Sequence, residues 1–310
     1  MSLDRRAFLR GSLAAGSAAA LSPQVARATQ ASQDAPVIKA IQRKRIPKTG
    51  ELLPVIGLGT SRTLNVDPNG EHPGLVEVVQ GFLDWGGSCI DSSPMYGNSE
   101  AVVGELLTKI DRKDLFFATK VWTKEGKQAG IDQMEESRQR MAADRFDLMQ
   151  VHNLVGLDDH MPTLEQMKAE GKIRYLGVTE MRDWETVEKL VVSDKLDFIQ
   201  IPYSLGERDV EARILPAARD HGVAVLVMRP FVRGQLFKQV ADKKFPEWAA
   251  EIDCSSWAQL FLKWLLGHPA VTCPIPATSK PHHLHDNMQG GVGAVPDAAM
   301  RARIQELVLS

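Results

Sequence analysis

A carboxylate, a phenol, an ammonium and an imidazole stand at Asp91, Tyr96, Lys120 and His152, each closing a short apolar run or sitting in the loop just after one. The runs are Ser88 to Asp91, Phe116 to Lys120 and Leu148 to His152, and a polar group at the end of a buried strand costs free energy unless it is paired. The quartet suits proton chemistry. Bringing a phenol pKa of about 10 to neutrality takes about three units, roughly 4 kcal/mol of preference for the phenolate. A neighbouring ammonium supplies much of that, and a carboxylate keeps the ammonium charged where desolvation would neutralise it. Tyr96 is therefore the candidate acid, with Lys120 tuning it and Asp91 acting at one remove. His152 is the candidate donor that orients a substrate oxygen. The plainer alternative is an Asp91–Lys120 ion pair with Tyr96 and His152 as ordinary polar neighbours.

Adjacent strands of a parallel sheet lie about 4.8 Å apart, so three strand ends bring all four side chains within reach of one small molecule. Strand-like runs occur at Val55 to Leu58, Ser88 to Asp91, Leu115 to Lys120, Leu148 to His152, Tyr175 to Val178, Phe198 to Ile201, Val223 to Met228 and Val271 to Ile275. Helix-period segments separate them, at Leu75 to Trp85, Glu100 to Leu107, Ile131 to Ala142, Thr163 to Glu170, Trp184 to Val192, Val210 to His221 and Trp257 to Leu266. This alternation predicts an α/β chain folded as one (β/α)8 TIM barrel. Arg43 to Leu53, turning at Lys48-Thr49-Gly50, reads as a short hairpin that plugs the barrel bottom. A doubly wound sheet is disfavoured, because Gly57-Leu58-Gly59-Thr60 is an incomplete version of the Gly-x-Gly-x-x-Gly turn.

The 310 residues carry a formal charge of −2, with 44% hydrophobic and 25% charged residues, a balance that argues for a soluble globular body and against nucleic-acid binding. Asp4-Arg5-Arg6-Ala7-Phe8-Leu9-Arg10 precedes a mild apolar run from Gly11 to Leu21, and Ala26-Arg27-Ala28 offers small residues where a signal peptidase reads. This resembles a twin-arginine export signal. It implies a leader at residues 1–28, a linker at 29–42 and a barrel at 43–310, with the leader engaging the twin-arginine (Tat) translocon and the protein periplasmic or otherwise exported. The apolar run is shorter than the roughly 20 residues a bilayer requires, so no stable membrane anchor is expected. Cys89, Cys254 and Cys273 lack metal-like spacing and read as core packing.

Beyond the leader, nearly the whole chain resembles the aldo/keto reductase family. The likeness rests on Gly57-Leu58-Gly59-Thr60, Asp91-Ser92-Ser93-Pro94-Met95-Tyr96-Gly97-Asn98-Ser99-Glu100, Ala118-Thr119-Lys120, Gln150-Val151-His152, Ile275-Pro276 and Asn287. It implies a barrel that binds a nicotinamide dinucleotide without a Rossmann fold and reduces a small carbonyl reversibly to an alcohol. Asp91, Tyr96, Lys120 and His152 occupy the positions of that family's catalytic tetrad. Hydride arriving at a carbonyl carbon leaves negative charge on oxygen, which a donor within about 3 Å must protonate.

Resemblance also marks the cofactor site as Gly59, Thr60, Thr179, Gln200, Met228, Arg229, Thr278, Ser279, Lys280, His283 and Asn287. Thr278-Ser279-Lys280-Pro281 fits the barrel's phosphate site, beside the last strands and at a helix start where Pro281 suits the first turn. The plainer reading there is a capped helix. Several positions depart from the family pattern. Ala277 and His283 stand where strongly NADP-selective members carry Lys and Arg, and Lys280 can substitute as a point charge, so NADP(H) is favoured with NAD(H) possible. Thr179-Glu180 replaces a frequent Ser-Asn, so Thr179 can still bond the nicotinamide amide while Glu180 can only accept. Met228-Arg229-Pro230 replaces an aromatic turn, making contact with the nicotinamide apolar. Trp122 is a candidate substrate-pocket wall. His282, His283, His285 and Asp286 do not form a metal site, since on a helix only His282 and His285 share a face.

The expectation is an exported NAD(P)-dependent aldo/keto reductase. A non-catalytic nicotinamide-binding sensor or subunit is the alternative, and a metal-dependent barrel hydrolase a third reading.

Overall fold

The structure is a computed structural model that describes residues 40–110 and 114–310. The expected export leader, at residues 1–28, lies outside the described residues, as does the expected linker up to residue 39. The linker's last residues are part of the barrel body rather than a tether, because Ile41 is buried and Gln42 N–H donates to Gly291 O at 2.9 Å.

A two-stranded antiparallel hairpin, β1 (Arg43–Arg45) and β2 (Leu52–Pro54), precedes the barrel. Eight parallel strands follow: β3 (Leu58–Gly59), β4 (Cys89–Asp91), β5 (Phe116–Val121), β6 (Phe146–Val151), β7 (Ile173–Thr179), β8 (Phe198–Pro202), β9 (Ala224–Met228) and β10 (Val271–Pro274). They pair in sequence order from β3 to β10. The ring closes where Gly57 N–H and Gly59 N–H donate to the carbonyls of Pro274 and Pro276, at 3.0 and 3.2 Å. Glycine is required at that seam, since a Cβ on Gly59 would lie 2.7 Å from the Ile275 carbonyl oxygen.

Helices α1 (Pro73–Asp84), α2 (Ser99–Thr108), α3 (Gly126–Arg140), α4 (Leu157–Ala169), α5 (Trp184–Val192), α6 (Ile214–Asp220), α7 (Gln235–Gln239), α8 (Trp257–Leu266), α9 (Pro281–Gln289) and α10 (Ala298–Leu309) surround the strands or extend the C-terminal part. Side-chain caps start three of them: Asp183 accepts from Thr186 N, Ser256 from Gln259 N and Asp297 from Met300 N. Three helices depart from the sequence reading, α3 by beginning at Gly126 rather than Ile131. α4 begins before Thr163 and runs through Pro162, and the expected Val210 to His221 helix breaks into a 3-10 turn followed by α6. Pro216, in the first turn of α6, has no N–H to continue the helix backward, and its ring crowds the preceding turn.

Two-residue alternation sorts the strands into faces. Cys89, Phe116, Ala118, Leu148, Tyr175, Phe198, Ala224, Leu226, Cys273 and Ile275 form one buried apolar cluster with Ile46 and Leu53 of the hairpin segment. The hairpin therefore closes the barrel at the amino ends of the strands. It is held there by Arg174, which contacts Glu51 and donates to Asp147 Oδ1 at 2.7 Å, and by the Tyr175 hydroxyl on Glu51. Continuing the same alternation toward the carboxyl ends turns the inward positions polar, at Asp91, Lys120, Gln150, Thr179 and Gln200, all buried.

Candidate active site

Asp91 ends β4, Lys120 is the fifth residue of β5, and His152 follows β6 directly, while Tyr96 closes a 3-10 turn, Pro94–Tyr96, just after β4. Pro94 suits the first position of that turn, and the Ser93 hydroxyl caps it by accepting from Met95 N at 3.2 Å. The structure brings all four together at the carboxyl ends of the strands, where active sites of such barrels lie.

Lys120 Nζ donates to both Asp91 oxygens and to the Ser92 carbonyl, at 2.9, 2.8 and 2.6 Å. It lies 5.2 Å from the Tyr96 ring centre. The Tyr96 and His152 rings meet edge to face at 5.7 Å. Asp91 receives two further N–H bonds, from Gln200 at 3.0 Å and Gln150 at 3.4 Å. Burial opposes the charge on Lys120 more strongly than any other single influence, yet Asp91, Tyr96 and Glu100 together raise its pKa above the ordinary value. The ammonium stays charged, as the sequence implies. The phenol differs from expectation. Burial and the Asp91 carboxylate raise the Tyr96 pKa above 10 against the opposing charge and hydrogen bond of Lys120. Burial of the phenol is the main reason, and the Asp91 carboxylate offsets part of what the Lys120 charge would do alone. Burial, helped by Lys120, pushes the His152 imidazole down to about 3, so it is neutral at physiological pH.

Trp122, 39% exposed, stands 6.5 Å from the His152 ring and so lines the open side of the site. Gln133 of α3 fixes it by accepting from its backbone N–H and donating to its carbonyl, at 2.6 and 3.1 Å.

The expected cofactor residues divide into two groups. Gln200 Oε1 is buried without a hydrogen-bond partner, on the strand register that pairs Thr179 with Gln200. Gly59 bridges Ala277 across the seam, and Thr278 accepts from Lys280 N at 3.1 Å. Ser279, Lys280 and His283 are exposed at the start of α9, whose first turn has no side-chain cap, contrary to the plain capped-helix reading. Asn287 is buried on α9, and Met228 ends β9 half-buried beside the barrel interior. Other expected residues already have protein partners. Thr60 is fully buried, its Oγ1 lying 3.0 Å from the Asp91 carbonyl and 2.9 Å from Ser92 Oγ. Thr179 Oγ1 accepts from Asn153 N at 3.0 Å and donates to Asn153 Oδ1 at 3.5 Å. Arg229, with φ 58°, pairs with Glu207 at 2.7 Å. Glu180 is engaged by the local backbone, accepting from the N–H groups of Met181 and Arg182 at 2.7 and 2.9 Å.

The histidine-rich start of α9 is dispersed. Asp286 accepts from Ser256 and Gln259, His285 packs its ring on Trp85, and His282 packs on His283. Among the described residues no three His, Cys, Asp or Glu gather as a metal site would require. Sequence reasoning missed two contributors, Ser93 and Gln150. Gln150 was legible by alternation, two residues before His152, whereas Ser93 acts through a turn that no periodicity reveals.

The model of the aldo/keto reductase family matches residues 55–308. The methylglyoxal reductase YeaE of Escherichia coli is 28% identical over 256 residues, covering 80% of this chain and 89% of that protein. The NADH-specific methylglyoxal reductase of the same organism is 29% identical over 174 residues, where this chain spans 53% of the relative's length. A crystal structure of an aldo-keto reductase from Klebsiella pneumoniae in complex with NADPH shares the fold with a TM-score of 0.72 at 24% identity, covering 87% of this chain and 95% of that one.

Proposed function

This chain belongs to the aldo/keto reductase family, and on that premise we propose that it reduces an aldehyde or ketone reversibly to an alcohol with a nicotinamide dinucleotide as reductant. The observation that carries the proposal is the buried Asp91–Lys120 pair, set beside Tyr96 and His152 at one mouth of the barrel. The residues present fit a nicotinamide dinucleotide. Gln200 Oε1 lacks the donor that a carboxamide N–H would provide, and the open first turn of α9 suits phosphate. Gln200 and Thr179 would hold the carboxamide, Met228 would pack on the ring, and Thr278, Ser279 and Lys280 would meet the phosphates. NADP(H) is favoured, supported by the NADPH complex of the Klebsiella relative and by the exposed Lys280, with NAD(H) the alternative supported by the NADH-specific relative.

When bound, the cofactor supplies a hydride to the carbonyl carbon. The chain's own groups handle the oxygen. Tyr96, whose raised pKa keeps the phenol protonated through neutral pH, donates its proton to the developing alkoxide. Lys120 steadies the resulting phenolate, and Asp91 with Gln150 and Gln200 holds Lys120 in place. Neutral His152 donates a hydrogen bond to the same oxygen and orients it, while Trp122 walls the site.

The test is carbonyl-dependent NADPH oxidation by the purified protein and by Tyr96→Phe, over aldehydes and ketones that begin with methylglyoxal and glyoxal. The expected result is turnover by the native protein and a loss of about 100-fold or more in the variant. Equal rates would remove Tyr96 from the mechanism, and tight cofactor binding without turnover would favour the sensor reading. We further propose export through the twin-arginine translocon, on the strength of Arg5-Arg6 and the segment that follows. Replacing both arginines by lysine should hold the full chain in the cytoplasm; undiminished export would refute this.

A further inference from the structure

Ser93 is fully buried between the two catalytic candidates that meet substrate. Its Oγ lies 2.9 Å from His152 Nδ1 and accepts from Met95 N at 3.2 Å, in the turn that carries Tyr96. A backbone amide can only donate, so that second contact fixes Oγ as an acceptor and leaves one O–H proton to place. His152, neutral across the physiological range, carries one ring proton and one bare nitrogen. Two arrangements satisfy the 2.9 Å contact. If Nδ1 holds the proton and donates to Oγ, the serine proton has no acceptor among the described residues, and a bare Nε2 is left for the site. If the serine donates to Nδ1, the buried serine proton has a partner and the one N–H left to place is Nε2–H, which is then available to a ligand.

We propose that Ser93 is a positioning residue that fixes the tautomer of His152, donating to Nδ1 so that Nε2–H is presented to the substrate oxygen. The inference deepens the carbonyl-reductase reading, in which His152 must donate to an oxygen, a task the other tautomer cannot perform. It also links two functions in one hydroxyl, which holds the turn bearing the proton donor and sets the protonation of the orienting imidazole.

The experiment records long-range proton–nitrogen correlations of ring-labelled histidine in the full-length, cofactor-free protein, with His152 assigned by its loss in His152→Asn. The native protein should show protonated Nε2 and bare Nδ1. Ser93→Ala should populate the Nδ1–H form, and Ser93→Thr, which keeps the hydroxyl, should restore the native pattern. In turnover, Ser93→Ala should lower kcat by about 10-fold or more while the cofactor Kd stays within about two-fold. A protonated Nδ1 in the native protein, or an unchanged tautomer in Ser93→Ala, would overturn the proposal. A purely structural serine would shift the melting temperature without moving the tautomer. Should the protein reduce no carbonyl, the functional reading fails while the spectra still decide the role of Ser93, and the native spectrum does so even if Ser93→Ala does not fold.

Discussion

Lys120 Nζ stands 2.8 Å from Asp91 Oδ2, with the two side chains 1% and 2% exposed. A pair this deeply withdrawn from water is held together because either charge alone would be stranded, so its loss is asymmetric. Asp91→Asn or Lys120→Met alone should lower unfolding stability by about 3–5 kcal/mol. The double variant should cost clearly less than the sum, because no buried charge is left unpaired. Urea unfolding of the three proteins measures this, and additive losses would mean the pair is solvated in solution.

The pH dependence of stability should carry the mark of His152. Its folded pKa is lowered to about 3 by burial and then by Lys120, whereas an unfolded histidine titrates at about 6.5. Above about pH 6.5 both states are neutral and the imidazole contributes no slope. As pH falls through that value the unfolded chain takes a proton the folded chain refuses, so stability drops by about 1.4 kcal/mol per unit until the folded pKa is reached. His268, lowered to about 4 by burial and by Arg301, adds a slope of the same sign. Glu100, raised by burial, acts oppositely at the acid end, because its folded form binds a proton first. Between pH 6.5 and 5 the native protein should therefore lose about 2 kcal/mol more than His152→Asn. Parallel stability curves would show that the imidazole is not desolvated.

Much of this arrangement was legible because strand alternation is a rigid rule. Asp91, Lys120 and Gln150 share the inward face with Cys89, Ala118 and Leu148, two residues earlier in each strand. What alternation could not reveal was how polar groups would distribute their hydrogen bonds. Thr60 and Glu180 look like ligand contacts by position, yet the nearby backbone takes both. The pKa of Tyr96 depends on burial, Lys120 and Asp91 acting together, and the nearest charged neighbour alone gives the wrong direction. The apolar period begins at Thr163, but α4 starts at Leu157 and runs through Pro162, a first part that the period does not mark.

Barrel closure depends on a missing side chain. Gly59 sits where a Cβ would come within 2.7 Å of the Ile275 backbone oxygen, a neighbour that cannot rotate away. Gly59→Ala should push the first and last strands apart and cost about 1–3 kcal/mol, read as a lower melting temperature. A melting temperature equal to that of the native protein would show that the seam already has room to spread.

Cofactor choice should turn on Lys280, exposed at the start of α9 among Ser279, His282 and His283. The ion pairs of the described residues do not include it, and α9 offers a turn without a side-chain cap beside it. An ammonium so placed can meet the 2′-phosphate that distinguishes NADPH from NADH, and a partly screened surface contact of this kind is worth about 1 kcal/mol. Lys280→Ala should therefore weaken NADPH binding by about five-fold at low ionic strength and leave NADH binding within two-fold. Raising the salt should shrink the difference, because the contact is screened. Titration calorimetry with both cofactors separates the outcomes. An equal loss for the two would place Lys280 on the shared pyrophosphate, and no loss for either would remove it from the cofactor site.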